Sequence, residues 1–388
     1  MEDTRRYKTR TEIRNRPNGG AKGAWLCAAD FGYSSVKIFS QNTVAVFPSF
    51  ARRFSGETVG TLPDSHIIYK DLENGEQWLV GEAAQNDVGQ NDATISEEAV
   101  FGRARYDDPM FLVLVRTGLG IGIRKNEYGD PFGKTVYIQT GLPPKYLKTD
   151  TKPLTKTIAG RHRFSLRIGD APEEIFDITV KPENISVMEQ PKGTLMSVAM
   201  DNSHRFIRGS QNYFNKNVLV FDAGFGTLDI FPIINNHVAD KQTFPEFSMK
   251  QVLKETISAI YEKYGEEVSL IGIQKCLGEG VIRCHDKFSS KNEPFSDILE
   301  ECSSRVCDEA LERLGQIYRL YEFDYLIITG GTGAAWNEQI REKLKGLSSL
   351  TIIDGNQNDT TLAFLFANVR GYYMYLYEKV SRMVRELR

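Results

Sequence analysis

One pattern of residue types that could handle a phosphate occurs twice in the chain. The first copy occupies residues 30–38 and the second occupies residues 222–230. Each copy begins with aspartate, has glycine two positions later, continues through aromatic and small polar residues, and ends in isoleucine. Glycine lets the backbone approach a ligand without a Cβ in the way, and the amides of such a turn can point at an anion. Each copy therefore predicts an anion-binding turn beside a carboxylate.

Apolar runs precede both copies and place the turns in β-hairpins. Residues 25–29 lead into the first copy, and residues 218–221 lead into the second. Each copy therefore predicts a strand, a tight turn and a second strand. An ordinary glycine turn would explain one copy alone, but agreement at several positions favours a shared function. Two such hairpins facing each other would form a clamp for a phosphate.

The side chains of the two copies suggest different roles. Asp30 and Asp222 would hold Mg2+ through ordered water, because Mg2+ keeps much of its hydration shell. Lys37 could reach a β- or γ-phosphate as a point charge, whereas Asp229 occupies its place in the second copy. The residues expected to bind phosphates through turn amides and hydroxyls are Gly32, Tyr33, Ser34, Ser35, Gly224, Phe225, Gly226 and Thr227.

A third glycine cluster follows a different element. Residues 325–329 form a short apolar run, residues 330–335 are Gly-Gly-Thr-Gly-Ala-Ala, and residues 336–344 have helical character. A strand, a glycine turn and a helix can bind a ribose or phosphate at the helix N-terminus. The nucleotide contacts predicted from this cluster are Gly330, Gly331, Thr332 and Gly333.

Together these segments resemble the actin-like ATPase superfamily, which includes actin, sugar kinases and heat-shock chaperone ATPases. The two hairpins resemble its phosphate motifs, and residues 330–333 resemble its adenosine motif. Further segments resemble the plasmid-segregation actins of the ParM/StbA type: Phe47-Pro-Ser49, Val80-Gly-Glu-Ala83, Thr140-Gly-Leu-Pro143 and Phe366-Ala-Asn-Val-Arg-Gly-Tyr-Tyr373. The resemblance covers about residues 25–380.

The resemblance implies an α/β fold, with two duplicated ribonuclease-H-like domains around a nucleotide cleft. Residues 25–200 would form domain I, to which a C-terminal helix at 360–388 returns, and residues 201–359 would form domain II. Residues 1–24 are rich in arginine and lysine and predict a disordered basic arm. A contact of this arm with a neighbouring subunit or with nucleic acid is the alternative.

The resemblance also implies a residue that orients the attacking water. The segment Val187-Met-Glu-Gln-Pro-Lys-Gly193 resembles the family's Pro-Gln/Glu-x-x-Gly segment, in which Gln or Glu faces the γ-phosphate. Gln190 matches that position, but Glu189 stands where the family has proline, so both stay candidates. Asp222 is the third candidate catalytic residue, because it would hold Mg2+ through a bound water. A glutamine can orient water but is a poor base, so slow hydrolysis is expected.

The adenine pocket is implied more loosely. In actin-like folds, one helix of the second domain lines the base and the ribose. Residues 247–264 are the candidate helix, with Lys250 and Lys254 on one face and Glu255 beside them. The alternative is that these charges form the solvated side of an amphipathic helix.

Composition limits the class of protein. The 388 residues suffice for two domains with cores, and a net charge of −3 gives no global electrostatic case for direct DNA binding. No apolar run approaches the length of a membrane span, and the polar N-terminus does not resemble a secretory leader. Five cysteines without CxxC spacing predict reduced, mostly buried thiols in a cytoplasmic protein.

These expectations combine into one function and its alternatives. The resemblance implies a bacterial actin homologue that binds ATP, or GTP, with Mg2+ and assembles head to tail into filaments. Slow hydrolysis would permit disassembly, and a DNA-binding adaptor would connect the filament to plasmid copies. A small-molecule kinase of the sugar type is the alternative, although no sugar-binding segment is evident. A chaperone-type ATPase is less favoured, since no peptide-binding region is recognised.

Overall fold

The computed structural model describes residues 4–56, 60–92 and 95–386. The chain divides into two compact units, which we call domain I and domain II. Domain I comprises Thr9–Asp87, Glu97–Ile207 and Phe366–Arg388, and domain II comprises Met1–Lys8, Val88–Ser96 and Arg208–Leu365.

Domain I carries two sheets and most of its helices before residue 200. Its strands are β1 (Glu12–Asn15), β2 (Ala24–Phe31), β3 (Ser35–Ser40), β4 (Thr43–Pro48), β5 (Ala51–Arg53), β6 (Ile67–Asp71), β7 (Gln77–Val80), β8 (Thr135–Leu142), β9 (Gly160–Ile168), β10 (Glu174–Val180) and β11 (Ile185–Glu189). Its helices up to this point are α1 (Glu82–Asn86), α2 (Glu97–Phe101), α3 (Pro109–Gly122), α4 (Leu147–Ile158) and α5 (Gln190–Ala199).

The central sheet of domain I has the strand order β1-β4-β3-β2-β8-β11. Pairing is antiparallel from β1 to β2 and parallel from β2 through β8 to β11. A second, antiparallel sheet has the order β10-β9-β6-β7-β5. Helix α3 contacts both sheets: Gly118 lies against Ile38 of the first, and Gly120 lies against Leu166 of the second. This position explains why α3 is apolar on nearly every side.

Domain II is built on one main sheet. Its strands are β12 (Val218–Ala223), β13 (Leu228–Ile234), β14 (His237–Val238), β15 (Gln242–Phe244), β16 (Val281–His285), β17 (Ser290–Pro294), β18 (Tyr325–Thr329) and β19 (Thr351–Asp354). Its helices are α6 (Asn212–Asn215), α7 (Met249–Tyr264), α8 (Leu270–Cys276), α9 (Ser296–Ile317) and α10 (Gly331–Leu344). The main sheet has the order β14-β13-β12-β18-β19, and β15 also pairs with β13. Strands β16 and β17 form a separate hairpin.

The two main sheets repeat one construction. In each, an antiparallel hairpin (β2–β3 or β12–β13) is followed by two parallel strands on the side of its first strand. The parallel strands are β8 and β11 in domain I, and β18 and β19 in domain II. The repeat confirms the predicted duplicated α/β fold.

The C-terminal helix returns to domain I. Helix α11 (Ala367–Glu386) follows a short 3-10 helix at Phe364–Phe366, so it begins later than the predicted residue 360. It packs on α5, and ten of its residues are buried, including Arg370 and Tyr372. The position of α11 matters because α5 carries a candidate catalytic residue at its first position.

The prediction of a disordered basic arm is wrong for the described residues of that segment. Strand β1 pairs antiparallel with β4, and Asn18 is buried where its Nδ2 donates to Ser40 O at 2.7 Å. Within domain II, Thr4 Oγ1 donates to Leu277 O at 3.0 Å, and Tyr7 OH donates to Glu300 Oε2 at 2.8 Å. Arg14, the arginine within β1, is half-buried and lies 2.7 Å from Glu12 Oε1, so backbone pairing at the sheet edge orders this segment despite its basic content. Residues 1–3 lie outside the described residues.

A second boundary also differs from the prediction. The segment Val88–Ser96 belongs to domain II rather than to domain I. Gln90 attaches it there, because its Oε1 accepts from Arg283 N at 2.7 Å and its Nε2 donates to Arg283 O at 3.0 Å. Because Gln90 and Arg283 are far apart in the sequence, no local sequence pattern predicts this contact.

Two features bear on the class of protein. All five cysteines are free thiols, and burial raises the pKa of Cys27 to about 12, so this thiol stays protonated. Among the helices in residues 4–56, 60–92 and 95–386, none combines the length and apolar character needed to cross a bilayer.

Candidate nucleotide-binding site

The first anion-binding turn lies where the sequence predicts it, between β2 and β3. Gly32 N donates to Ser35 O at 3.1 Å and closes the turn. Gly32, Tyr33 and Ser34 are half-buried, and Ser35 is buried. A Cβ on Gly32 would lie 2.9 Å from Ser35 O, which explains the glycine.

Ser49 and Arg105 donate hydrogen bonds to the backbone of this turn. The sequence did not identify either of them as a site residue. Ser49 N donates to Ser34 O at 2.9 Å, and Ser49 Oγ donates to Gly32 O at 2.8 Å. Arg105, which is buried, donates to Gly32 O at 3.0 Å and also to Phe31 O. These donors occupy carbonyl oxygens that would otherwise repel an anion. Ser49 lies in the Phe-Pro-Ser segment that supports the family resemblance, whereas Arg105 has no motif around it.

Asp30 is the centre of a small polar cluster in domain I. It is 4% exposed and lies directly opposite Lys37 in the hairpin register. Lys37 Nζ lies 2.9 Å from Asp30 Oδ2, and Gln190 Nε2 donates to Asp30 Oδ1 at 3.3 Å. The structure thus brings three predicted site residues together, and it places Lys37 on the carboxylate of Asp30. The negative charge of Asp30 is offset within its own hairpin.

Glu189 and Gln190 meet at the junction of β11 and α5. Strand β11 ends at Glu189, and α5 begins at Gln190. Glu189 is buried and forms an ion pair with Lys192 at 2.9 Å. Gln190, in contrast, extends to Asp30. The two candidates are therefore engaged by different partners.

A close crossing of α5 and α11 fixes the position of this junction. A Cβ on Gly193 would lie 2.6 Å from Asn368 O and 2.5 Å from a ring carbon of Tyr372. Thr194 Oγ1 donates to Asn368 Oδ1 at 2.6 Å. Buried Arg370 donates to Ser197 O at 2.7 Å. The closing segment at residues 366–373 thus positions the helix that begins with Gln190.

The second turn connects β12 and β13 in domain II. Gly224 N donates to Thr227 O at 2.9 Å, so the turn residues are Gly224, Phe225, Gly226 and Thr227. Asp222 is the last residue but one of its strand, as Asp30 is of β2, but its cross-strand partner is Asp229 instead of a lysine. This single exchange makes the electrostatics of the two turns different.

Asp229 is 1% exposed and held by two hydroxyl groups. Thr227 Oγ1 donates to its Oδ2 at 3.1 Å, and Thr243 Oγ1 donates to its Oδ1 at 2.6 Å. Desolvation by burial, followed by repulsion from Asp222, raises the pKa of Asp229 to about 8. Two carboxylates that face each other at this turn fit a nearby cation, which would relieve their repulsion. Among the described residues, no group of three or more His, Cys, Asp or Glu side chains forms a ready metal cage.

The third glycine cluster lies against the second turn. Strand β18 runs parallel to β12, with Thr329 opposite Asp222. Gly330 has φ 85°, and a Cβ on it would overlap Ala223 O and lie 3.0 Å from Asp222 Oδ1. Thr332 Oγ1 donates to Gly224 O at 2.7 Å. Two motifs predicted separately therefore form one cluster within domain II.

Helix α10 begins earlier than the sequence suggested. Gly331, Thr332 and Gly333 lie in its first turn rather than in a loop before residue 336. The first N–H groups of a helix lack intrahelical partners and favour an anion. Among the described residues, no heavy atom beyond the chain neighbours and the backbone of α10 itself lies within 4 Å of where a Cβ of Gly331 would be, so a ligand can approach there.

The predicted adenine helix begins at the same turn. Helix α7 starts at Met249, where Lys250 N donates to Phe225 O at 2.8 Å. Lys250 is half-buried, but Lys254, one turn later, is exposed. The adjacent Glu255 is engaged by Arg305 at 2.7 Å. The structure thus brings Lys250 to the second turn and leaves Lys254 on the surface of the helix.

Comparisons with known proteins agree with this architecture. Residues 28–193 match the family model described as actin like proteins N terminal domain. No curated protein matches the chain in sequence.

Solved structures share the fold over nearly the whole chain. A non-polymerisable quadruple mutant of pCBH ParM is 19% identical, covers 91% of this chain and 98% of its own, and gives a TM-score of 0.69. A 15-stranded ParM filament from Clostridium botulinum is 17% identical, with 92% and 99% covered and a TM-score of 0.66. The archaeal actin homolog Ta0583 is 16% identical, with 92% and 99% covered and a TM-score of 0.61. Residues 28–193 therefore form an actin-like N-terminal domain, and the chain as a whole has the actin-like fold of the ParM structures.

Proposed function

We propose that this protein is an ATP-dependent, filament-forming bacterial actin homologue that hydrolyses ATP and segregates plasmid DNA through an adaptor. The observation that carries the proposal is the repeated turn. Asp30 and Asp222, both 4% exposed, are each the last residue but one of a strand that leads into a glycine turn. In both sheets that strand pairs antiparallel with the strand after the turn and parallel with a later strand. A repeat of this kind is expected of a protein that holds one phosphate chain with two similar elements.

In this proposal the two turns bind the phosphates of ATP. Gly32, Tyr33, Ser34 and Ser35 would act from domain I, and the turn at residues 224–227 would act from domain II. Residues 330–333, at the N-terminus of α10, would bind the ribose or a phosphate. Lys250 at the start of α7 would approach the base, and Lys254 would have a smaller effect because it is exposed.

The residues of domain II fit Mg2+ better than those of domain I. Asp222 faces Asp229 across the hairpin, and their repulsion contributes to the raised pKa of Asp229, so a cation at this turn would allow both carboxyl groups to ionise. Asp30 is already ion-paired with Lys37. We therefore assign the magnesium water primarily to Asp222, with Asp30 contributing only if Lys37 transfers to a phosphate. Bound Mg2+ would supply charge neutralisation for the phosphate oxygens.

Gln190 is our choice for the residue that orients the attacking water. Its Nε2 donates to Asp30, and its amide oxygen can then accept from a water. Glu189 is buried and ion-paired with Lys192, which engages its carboxylate. Because the amide of Gln190 does not take up the proton of the attacking water, hydrolysis would be slow. The rate of hydrolysis would then set how long a filament persists.

Assembly and partners follow from the same proposal. The comparison structures include a ParM filament and an Alp12 filament. A head-to-tail contact of this chain would be heterologous and would extend into an open filament. With a net charge of −3, the folded body has no global attraction for DNA, so an adaptor would bind the plasmid. We expect these events in the cytoplasm and without a membrane.

Light scattering and sedimentation of the purified protein test the proposal. We expect polymer with ATP and Mg2+, followed by phosphate release and disassembly, and no polymer with ATP and a chelator. Asp222→Asn should lose both polymer and phosphate release, whereas Asp240→Asn, at an exposed position of domain II, should retain them. A soluble monomer whose ATP consumption rises with added sugars would favour the small-molecule kinase instead. GTP in place of ATP tests the nucleotide preference.

A further inference from the structure

A groove with basic walls runs along α4 on domain I. Its volume is about 860 Å3, and its second wall is formed by the start of β9 and the end of β10. Most of the lining surface is apolar, and Ala159, Val180 and Pro182 contribute to it. The groove lies apart from both glycine turns in the sequence, and the proposed function does not use it.

Lysines on both walls give this groove its charge. Lys148, Lys152 and Lys156 occupy successive turns of α4, and Lys181 lies on the opposite wall. All four are exposed. In the part of the chain that the structure describes, no carboxylate lies within ion-pair distance of any of them. Arg161 also lines the groove, and its Nε lies 2.7 Å from Asp177 Oδ1.

This arrangement is unfavourable for the isolated protein. Like charges at i and i+4 destabilise a helix by roughly 0.2–0.5 kcal/mol per pair, and α4 contains two such pairs in a row. The protein as a whole has a net charge of −3, so the local positive potential does not reflect its composition. An anionic partner would remove the repulsion between these lysines.

We propose that this groove binds an acidic segment of a partner protein, with apolar side chains between its carboxylates. The spacing supports an extended segment. Successive lysines on α4 are about 6 Å apart along the helix, and alternate residues of an extended chain recur about every 6.6 Å. Carboxylates at every second position would therefore match the lysines, while the intervening residues cover the apolar surface.

The shape of the groove favours a protein segment over DNA. The phosphates of a duplex lie on a convex surface and would meet the lysines at the rim without filling an apolar groove. Side chains of a protein segment can lie against the apolar lining of this shallow groove, and such contacts are a usual basis of peptide recognition. Binding here does not require nucleotide or filament, so it is independent of the proposed function.

The test uses the full chain without nucleotide and a fluorescein-labelled peptide of alternating Glu and Leu with Gly-Ser flanks. Fluorescence anisotropy should show binding that weakens with salt. Replacing Glu by Gln in the peptide should abolish binding, and replacing Leu by Gly should weaken it. Lys152→Glu with Lys156→Glu should weaken binding by roughly tenfold or more.

The matched control is Lys263→Glu with Lys287→Glu, which makes the same change in net charge at exposed sites of domain II. It should weaken binding by less than about twofold, since these sites are distant in sequence and lie in the other domain. Circular dichroism and thermal unfolding will verify that both variants fold.

Four results would overturn the proposal. They are equal weakening by the two lysine pairs, no binding of the Glu-Leu peptide at physiological salt, equal binding of the peptide without leucine, and tighter binding of a short DNA duplex through Lys152 and Lys156. The last result would assign the groove to nucleic acid. None of the four bears on polymerisation with ATP, which is measured separately by light scattering.

Discussion

Replacing Gly193 by alanine forces a methyl group into the crossing of α5 and α11. The new Cβ would lie 2.6 Å from Asn368 O and 2.5 Å from a ring carbon of Tyr372. Relaxed contacts between such atoms are about 3.5 Å, so the two helices must separate by about 1 Å. The perturbation acts at a buried backbone contact, and neither neighbour is the flexible end of a side chain.

The cost follows from two opposing terms. Overpacking of this kind destabilises by roughly 1–3 kcal/mol, while Gly to Ala within a helix favours folding by up to about 1 kcal/mol. The net expectation is a loss of about 1–2 kcal/mol. For a domain of this size that corresponds to roughly 5 °C in the melting temperature. Because α5 begins at Gln190, phosphate release should also fall.

Gly315→Ala is the control. Gly315 lies inside α9, and in the described part of the chain no heavy atom outside that helix's own backbone is within 4 Å of where its Cβ would be. This substitution gains the higher helix propensity of alanine and causes no overpacking, so it should raise the melting temperature by about 2 °C. Thermal unfolding followed by circular dichroism, without nucleotide, compares the two variants. An unchanged or raised melting temperature for Gly193→Ala would refute the close crossing.

Three further predictions concern residues of the candidate site. Lys37→Met leaves buried Asp30 without its ion pair and should lower the free energy of unfolding by about 3 kcal/mol, as chemical denaturation would measure; a value near zero would contradict the pairing. The folded pKa of Asp229, about 8, lies above its ordinary value of 3.8, so its contribution to stability is complete below pH 3.8 and is lost as pH rises through 8. Between pH 3.8 and about 8 the free energy of unfolding of the parent should fall by up to about 1.4 kcal/mol per pH unit. Asp229→Asn, measured with a chelator present, should not show this fall. Identical pH profiles for variant and parent would contradict the prediction. Gln190→Ala should reduce phosphate release far more than Glu189→Ala, and the reverse order would exchange their roles.

Much of the fold was predictable because its signals are local. The strand at Tyr325–Thr329 and the helix at Met249–Tyr264 agree with the apolar patterns that predicted them. The two hairpins follow from turn chemistry, which depends on neighbouring residues. Their repetition within one strand order then agrees with the duplicated fold.

The missed features depend on contacts between distant parts of the chain. Arg105 supports the first turn across more than seventy residues, and a buried arginine has no local signature. Strand β1 gains order from its pairing with β4, although its own sequence is polar and charged. The start of α10 at Gly331 was missed because glycine disfavours helix interiors, while the first turn of a helix tolerates it.

The exchange of Lys37 for Asp229 gives the two halves of the repeat different dependence on their surroundings. One hairpin carries its own counterion in its sequence. The other hairpin places two carboxyl groups opposite each other, and burial together with repulsion from Asp222 raises the pKa of Asp229 to about 8. A rise of pH through about 8 therefore adds a buried negative charge to domain II, whereas the equivalent position of domain I already holds a balanced ion pair.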